Sequence, residues 1–453
     1  MYCHYSTAPL ASLHPSPTLL NILRLPFHWL DRGQVFRRSI SIIMLPVNSS
    51  KFTPLVWQPL RTWSTLGTLL PTRNRLNLLD RAIQTVLRQD FHDWEIIVSD
   101  NCSDENIQPY VANLNDSRIR YQRTSSFVPV TENWNQALQA SQGDYVIMLG
   151  DDDGLLGGYL SRLNTLIHQH NSPDAIYTSA TLYAYPGVMP NEPNGFLRLY
   201  TKRPIFDGKR EPFLLDHQKA MHFVEASLRF QILFDYNMQF FAVSRQLIQQ
   251  TRDKGLFYQS PYPDYYAANV VLLIAKRLLV VPEPMIAIGI SPKSFGCYYF
   301  GGKEQEGSSF LNNLSDDSFD AELRKIILPG TDMNTCWLAA MQTLSENYQL
   351  PVKYSRYREL QIRSIFSGLF SGNELAATKL PELRKKLTTF EFIRFYLFFS
   401  LLKQLTPRRK WAKKAGKVLK SKLSHPPSEM PNIEGDFETM LDVYDKFNPT
   451  KNS

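Results

Sequence analysis

The sequence predicts an α/β domain built on a mostly parallel sheet flanked by helices, followed by a helical C-terminal region. Three observations predict it. Short apolar runs of strand length alternate with amphipathic helical segments from Leu66 to about residue 183. Polar clusters fall at the ends of three of those strands, and helical periodicity dominates from about residue 310 onward.

Taken in order, LGTLLPT (66–72) reads as a buried strand ending near Pro71. Leu79, Ala82, Ile83, Val86 and Leu87 then recur at helical spacing. WEIIVSD (94–100) is a second strand, residues 107–114 a short helix, and RIRYQR (118–123) a third strand. TENWNQALQAS (131–141) is helical and YVIML (145–149) is a fourth strand. Residues 160–168 are helical again, before AIYTSATLY (175–183). Strands joined through helices by short loops imply right-handed βαβ units. Residues 184–260 are less regular, and LLVVPEPMIAIGIS (278–291) is strand-like but broken by Pro282 and Pro284. TCWLAAMQTL (335–344) and KYSRYRELQIRSIFSGLF (353–370) are the clearest later helices.

Composition narrows the functional classes. Apolar residues make up 43% of the 453, enough for a substantial core. The four cysteines, Cys3, Cys102, Cys297 and Cys336, form no CxxC pair, so neither a zinc module nor a disulfide framework is indicated. The net charge of +8 is concentrated: about nine Lys or Arg and no acid lie between Lys403 and Lys422, and the remainder is near neutral. A near-neutral body argues against a nucleic-acid partner. Residues 1–62 contain one acid, Asp31, and no clean periodicity. They are expected to be a poorly ordered N-terminal extension; a transit leader, or a start at Met44, would give the same pattern.

In a parallel sheet, ligands bind beyond the carboxyl ends of the strands. PTRNR (71–75) follows the first strand there, SDNCSD (99–104) ends the second and GDDD (150–153) ends the fourth. Adjacent carboxylates at the end of a buried strand repel one another and resist desolvation. A hard divalent cation such as Mg²⁺ or Mn²⁺, shared with a substrate phosphate, would neutralise them. A solvated acidic turn capping the next helix would also account for them. No P-loop, GxGxxG, GxSxG or HExxH pattern is present.

LLPTRNR, WEIIVSDNCSD and GDYVIMLGDDD, in this order and spacing, resemble the inverting family 2 glycosyltransferases of GT-A fold, over roughly residues 64–295. The resemblance implies a nucleotide-sugar pocket lined by Pro71, Thr72 and Arg73, with Asp100 accepting a hydrogen bond from a uracil-like ring N–H. That favours a UDP- or dTDP-sugar. Asn133 would lie near the donor. Asp151 to Asp153 would supply the DxD motif, with Asp151 toward the ribose or sugar, Asp153 on the Mn²⁺ or Mg²⁺, and Asp152 able to replace either. The catalytic base would be Asp264 in YPDYYAANVVLL (262–273), with Glu225 and Asp235 in reserve; a Pro-Asp pair before a helix is also an ordinary N-terminal turn. Ser291, Lys293 and Ser294 in GISPKSFGCYYFGG (289–302) could close over the diphosphate; a surface loop with glycine turns is the other reading.

These readings divide the chain into the extension (1–62), a glycosyltransferase domain (63–305), a helical region with a basic segment (306–425) and a tail (426–453). FEFIRFYLFFSLLKQL (390–405) is apolar but shorter than the roughly 20 residues a spanning helix needs. PRRKWAKKAGKVLKSKL (407–423) follows it. The pair suits peripheral contact with an anionic membrane from the cytoplasmic side and a glycan or lipid-linked acceptor. A core helix followed by a solvated basic helix is the other reading. Two further functions stay open. A sugar nucleotidyltransferase would show a Gly-rich signature after the first strand, where PTRNRLNLLDR has no glycine. A non-catalytic glycan- or membrane-binding protein would depend on the basic segment and not on the aspartates.

Overall fold

The computed structural model describes residues 65–405, apart from 190–191, 201–202, 295–296, 299–305, 308–318 and 320, together with residues 431–448. The expected extension over 1–62 and the basic segment beyond residue 405 lie outside them. The expected architecture is the one observed: a sheet flanked by helices, followed by a helical region.

The first four strands are β1 (Leu66–Thr72), β2 (Trp94–Asp100), β3 (Ile119–Arg123) and β4 (Tyr145–Met148). They lie in the order β3-β2-β1-β4 and are all parallel. Helices α1 (Leu76–Leu87), α2 (Ile107–Asn113) and α3 (Val130–Ala140) connect them. Leu69, Leu70, Ile96, Ile97, Val98, Val146 and Ile147 are buried, as strands covered on both faces require. On α1 the apolar stripe of Leu79, Ala82, Ile83 and Val86 is the buried face.

Register positions the functional residues. Thr72 pairs with Asp100 across β1 and β2, and Leu69 pairs with Met148 across β1 and β4. Three residues beyond each member of the second pair lie Thr72 and Asp151. The chain ends of three strands therefore meet at one level.

The second half of the sheet departs from the parallel expectation. After β5 (Gly154–Leu155) and α4 (Tyr159–Gln169) comes β6 (Ala175–Ala184). The irregular stretch then supplies β7 (Phe196–Leu199), β8 (Phe213–Leu214), α5 (His217–Leu228), β9 (Phe241–Ser244) and α6 (Arg245–Gln250). β9 inserts antiparallel between β4 and β6. After α7 (Pro263–Ile274), β10 (Leu278–Ile290) runs parallel to β6. Pro282 and Pro284 do not break this strand. They coincide with register shifts between Val281 and Ile286, as expected where residues that cannot donate to the ladder are accommodated by a bulge.

The C-terminal helices are α8 (Ala321–Ile326), α9 (Asp332–Tyr348), α10 (Tyr354–Ser371), α11 (Glu374–Lys386), α12 (Thr389–Leu405) and α13 (Met440–Lys446). α9 belongs to the main core: the Trp337 ring packs on Phe230, Tyr236 and Tyr265. A second core, with Ile362, Ile365, Phe366, Leu383 and Phe395, joins α10, α11 and α12.

Residues 431–448, expected as part of a tail, pack on the α/β domain. Ile433 N donates to Leu197 O (2.8 Å) and Tyr444 Oη to Arg88 O (2.6 Å). Met440 and Val443 are buried with Leu156, Tyr183 and Ala287. Gly154 permits this approach, because a Cβ there would lie 2.6 Å from Met440 Cγ. Truncating Met440 to Ala removes a buried side chain. It is expected to cost about 2–4 kcal/mol, read as a lower urea midpoint.

Candidate functional site

Thr72 ends β1, and its hydroxyl donates to Asp151 Oδ2 (2.7 Å). Arg75, at the start of α1, places Nη2 2.7 Å from Asp151 Oδ1 and Nη1 3.8 Å from Asp152 Oδ2. The Ser291 hydroxyl, just past β10, donates to Asp152 Oδ2 (2.7 Å). Asp153 turns the other way. Its Oδ1 accepts from Gly289 N (2.8 Å), and its Oδ2 accepts from Gly150 N (3.0 Å) and Gln239 Nε2 (2.9 Å). Gly289 has to be glycine for this closure, since a Cβ would lie 1.9 Å from Asp152 O.

Burial pushes the Asp151 carboxyl up to about 6, against the pull of Arg75 and with repulsion from Asp152 adding to it. Burial, helped by Asp152, pushes Asp153 up to about 8, so it largely holds its proton at pH 7. Gln239 Oε1 is buried and has no hydrogen-bond partner. A half-turn of that amide would let it accept the Asp153 proton. The turn therefore carries less charge than three carboxylates would, and Arg75 answers part of what remains.

No group of three His, Cys, Asp or Glu side chains converges as a metal cage among the described residues. Two carboxylates suffice for Mg²⁺ when a diphosphate completes the shell. Asp151 and Asp152 fit that role. Asp151 Oδ1 is buried and paired with Arg75 Nη2 (2.7 Å), so a cation there would share that oxygen with the guanidinium. Asp152 is the most open of the three, at 8% exposure against 0% for Asp151 and 3% for Asp153. Asp153, the expected ligand, has both oxygens committed to holding the turn.

The other expected residues are close by but occupied. Pro71 sits in β1 opposite Ser99. Arg73 lies on the Phe127 ring (3.8 Å) and donates to Asn101 O (2.8 Å) and Cys102 O (2.9 Å). Asp100 Oδ1 accepts from Ser103 N (2.8 Å), and Oδ2 accepts from Tyr121 Oη (2.7 Å) and Arg123 Nη1 (3.0 Å). Asn133 exchanges hydrogen bonds with Ser99, its Oδ1 accepting from the hydroxyl (2.7 Å) and its Nδ2 donating to the carbonyl (3.1 Å). It therefore ties α3 to β2. Lys293 Nζ donates to Asn74 O (3.0 Å), clasping the loop after β10 to the loop after β1. Ser294 donates to Ser291 O (3.0 Å) within the same turn.

Asp264 stands in the first turn of α7, and its Oδ1 accepts from Met238 N (2.9 Å). Burial pushes its carboxyl up to about 7. Met238 adjoins Gln239, which holds Asp153. One short turn, Met238–Phe240, thus links Asp264 to the triple-aspartate turn. The two reserves lie differently. Glu225 pairs with Arg229 on an exposed face of α5 (3.2 Å), and Asp235 pairs with Arg203 (2.7 Å).

Two side chains at the site were not singled out from the sequence. Arg75 lay inside the quoted PTRNR, and the need of buried aspartates for a nearby cation is the signal that could have found it. Gln239 lay in the irregular stretch and gave no signal.

The fold and site define an α/β domain whose strand ends gather buried carboxylates around Arg75. Residues 68–230 match the model of the family described as Glycosyl transferase family 2. It is similar to the putative colanic acid biosynthesis glycosyl transferase WcaA of Escherichia coli K12, 37% identical over 137 residues, which are 30% of this chain and 48% of that protein. It is also similar to the GalNAc(5)-diNAcBac-PP-undecaprenol beta-1,3-glucosyltransferase of Campylobacter jejuni. That match is 42% identical over 101 residues, 22% of this chain and 33% of that protein. The chain thus spans about half or less of these relatives. S. aureus TarS 1–349 aligns over 72% of this chain and 93% of that one, at 14% identity and a TM-score of 0.40.

Removing Arg75 tests the electrostatics. Arg75→Ala is expected to cost about 3–5 kcal/mol at pH 8, because it leaves a buried carboxylate unpaired. The loss should be smaller at pH 5, where Asp151 can take up a proton, its folded pKa lying above its unfolded one. Urea unfolding at the two pH values measures it, and equal losses would contradict the pairing.

Proposed function

We propose that the protein transfers a sugar from a nucleotide-sugar donor to a hydroxyl acceptor in the synthesis of a surface polysaccharide or glycolipid, with inversion at the anomeric carbon. The observation that carries the reading is the Met238–Phe240 turn, which brings Asp264 and the triple-aspartate turn onto one scaffold. The family match and the printed roles of the curated relatives support the reaction class and the setting.

In this reading the nucleoside lies over the ends of β1 and β2. Asp100, buried at the end of β2 under Ser103, Tyr121 and Arg123, would accept a base N–H once these neighbours move aside. This favours a uridine or thymidine diphosphate donor. Arg75 and the Ser291–Lys293 loop face the diphosphate. Asp151 and Asp152 would hold a divalent cation, which, when bound, supplies Lewis-acid stabilisation of the departing diphosphate. Asp264 takes the proton of the acceptor hydroxyl. The acceptor oxygen bonds the anomeric carbon while the bond to the diphosphate oxygen breaks and its electron pair leaves with the nucleotide.

A panel of nucleotide sugars, assayed for released nucleoside diphosphate with Mn²⁺ or with chelator, tests the proposal. One donor should be turned over. The rate should rise with pH through about 7, as Asp264 loses its proton and becomes a competent base. Asp264→Asn should lower kcat by roughly 10²–10⁴-fold and flatten that limb of the profile. Turnover that is unchanged in Asp264→Asn would remove Asp264 as the base, and no release from any donor would overturn the function.

A further inference from the structure

Helix α12 has two apolar faces, and the described residues cover only one. Phe392, Phe395 and Phe399 pack on Phe366, and Phe399 also on Phe370, closing the second core. On the opposite side Phe390, Ile393, Leu397 and Leu401 follow at steps of three, four and four residues, which places them in one stripe along the helix. They are 75%, 49%, 54% and 58% exposed. Isolated exposed leucines are ordinary, but four large apolar side chains in one row form a patch of the kind that marks an interaction surface.

We infer that this stripe docks on an anionic phospholipid surface, with α12 lying along the bilayer and not crossing it. Two features of the chain select that occupant. At 17 residues α12 is about 26 Å long, and its sequence includes Glu391 and Arg394. No helix among the described residues is long and apolar enough to cross a membrane. The sequence continuing from it, residues 407–423, carries eight Lys or Arg and no Asp or Glu. A buried protein partner would demand a counter-charge for each of these cations; an anionic leaflet supplies a continuous one. Apolar insertion and basic attraction together make the two-part signal that stable peripheral binding requires. Residues 431–448, beyond the basic stretch in sequence, pack behind β5 on the body that holds the candidate site. The inference does not depend on the donor chemistry and can fail while that chemistry stands.

The full chain should float with vesicles containing about one-third anionic phospholipid and not with phosphatidylcholine vesicles. The triple variant Phe390→Gln, Leu397→Gln, Leu401→Gln should bind at least about ten-fold more weakly, with its circular dichroism and nucleotide-sugar turnover kept. A second variant, Leu397→Trp, should show a blue-shifted emission quenched by brominated acyl chains when anionic vesicles are added. No flotation of the full chain, or equal flotation of the triple variant, would overturn the proposal. So would a dimer of the full chain that becomes monomeric in the triple variant, which would assign the stripe to a second copy.

Discussion

The neutralisation of Asp151, Asp152 and Asp153 is the constraint on which the arrangement around them depends. Three consecutive carboxylates at the end of a buried strand could not be held there by packing alone. Thr72 and Arg75 answer them from the end of β1, Gly289 and Ser291 from the end of β10, and Gln239 from the turn before β9. These partners come from segments up to 219 residues apart in sequence, brought to one level by the register of the sheet. The bare backbone of Gly289 matters as much as any side chain, because the two chain segments touch there.

The same turn connects the site to the rest of the molecule. Through Gln239 and Met238 it reaches Asp264 and α7, which packs on α9 and so on the helical region. Through Gly154 it runs directly into β5, against which Met440 of the C-terminal segment is packed. The helical region and the returning chain are therefore structural neighbours of the site. The division of the chain at about residue 305 marks a change of secondary structure more than a break in the core.

The parallel half of the fold was legible because its signals are local. Apolar runs such as WEIIVSD and the stripe Leu79–Ala82–Ile83–Val86 state both element and buried face. β9, of four residues, was not legible, since its place depends on an antiparallel pairing between strands distant in sequence. The prolines of β10 suggested a break because a bulge is visible only against its partner β6. In the site, the sequence located the three strand ends but not the direction in which each aspartate points. Asp153 faces the backbone of β10, which no local pattern encodes. Asn133, read toward the donor, is committed to Ser99. Met440, Val443 and Tyr444 make too short a stripe to announce that residues 431–448 fold back.

The most direct measurement is calorimetric titration of uridine diphosphate into the full-length protein with Mn²⁺, repeated with chelator and with Asp152→Asn. The account predicts binding that requires the cation and is weakened at least ten-fold by the substitution, because Asp152 is the most open carboxylate of the turn. Equal affinity in all three titrations would contradict it and leave Asp151 to Asp153 as a buried acidic turn whose only task is to join the ends of β1, β4 and β10.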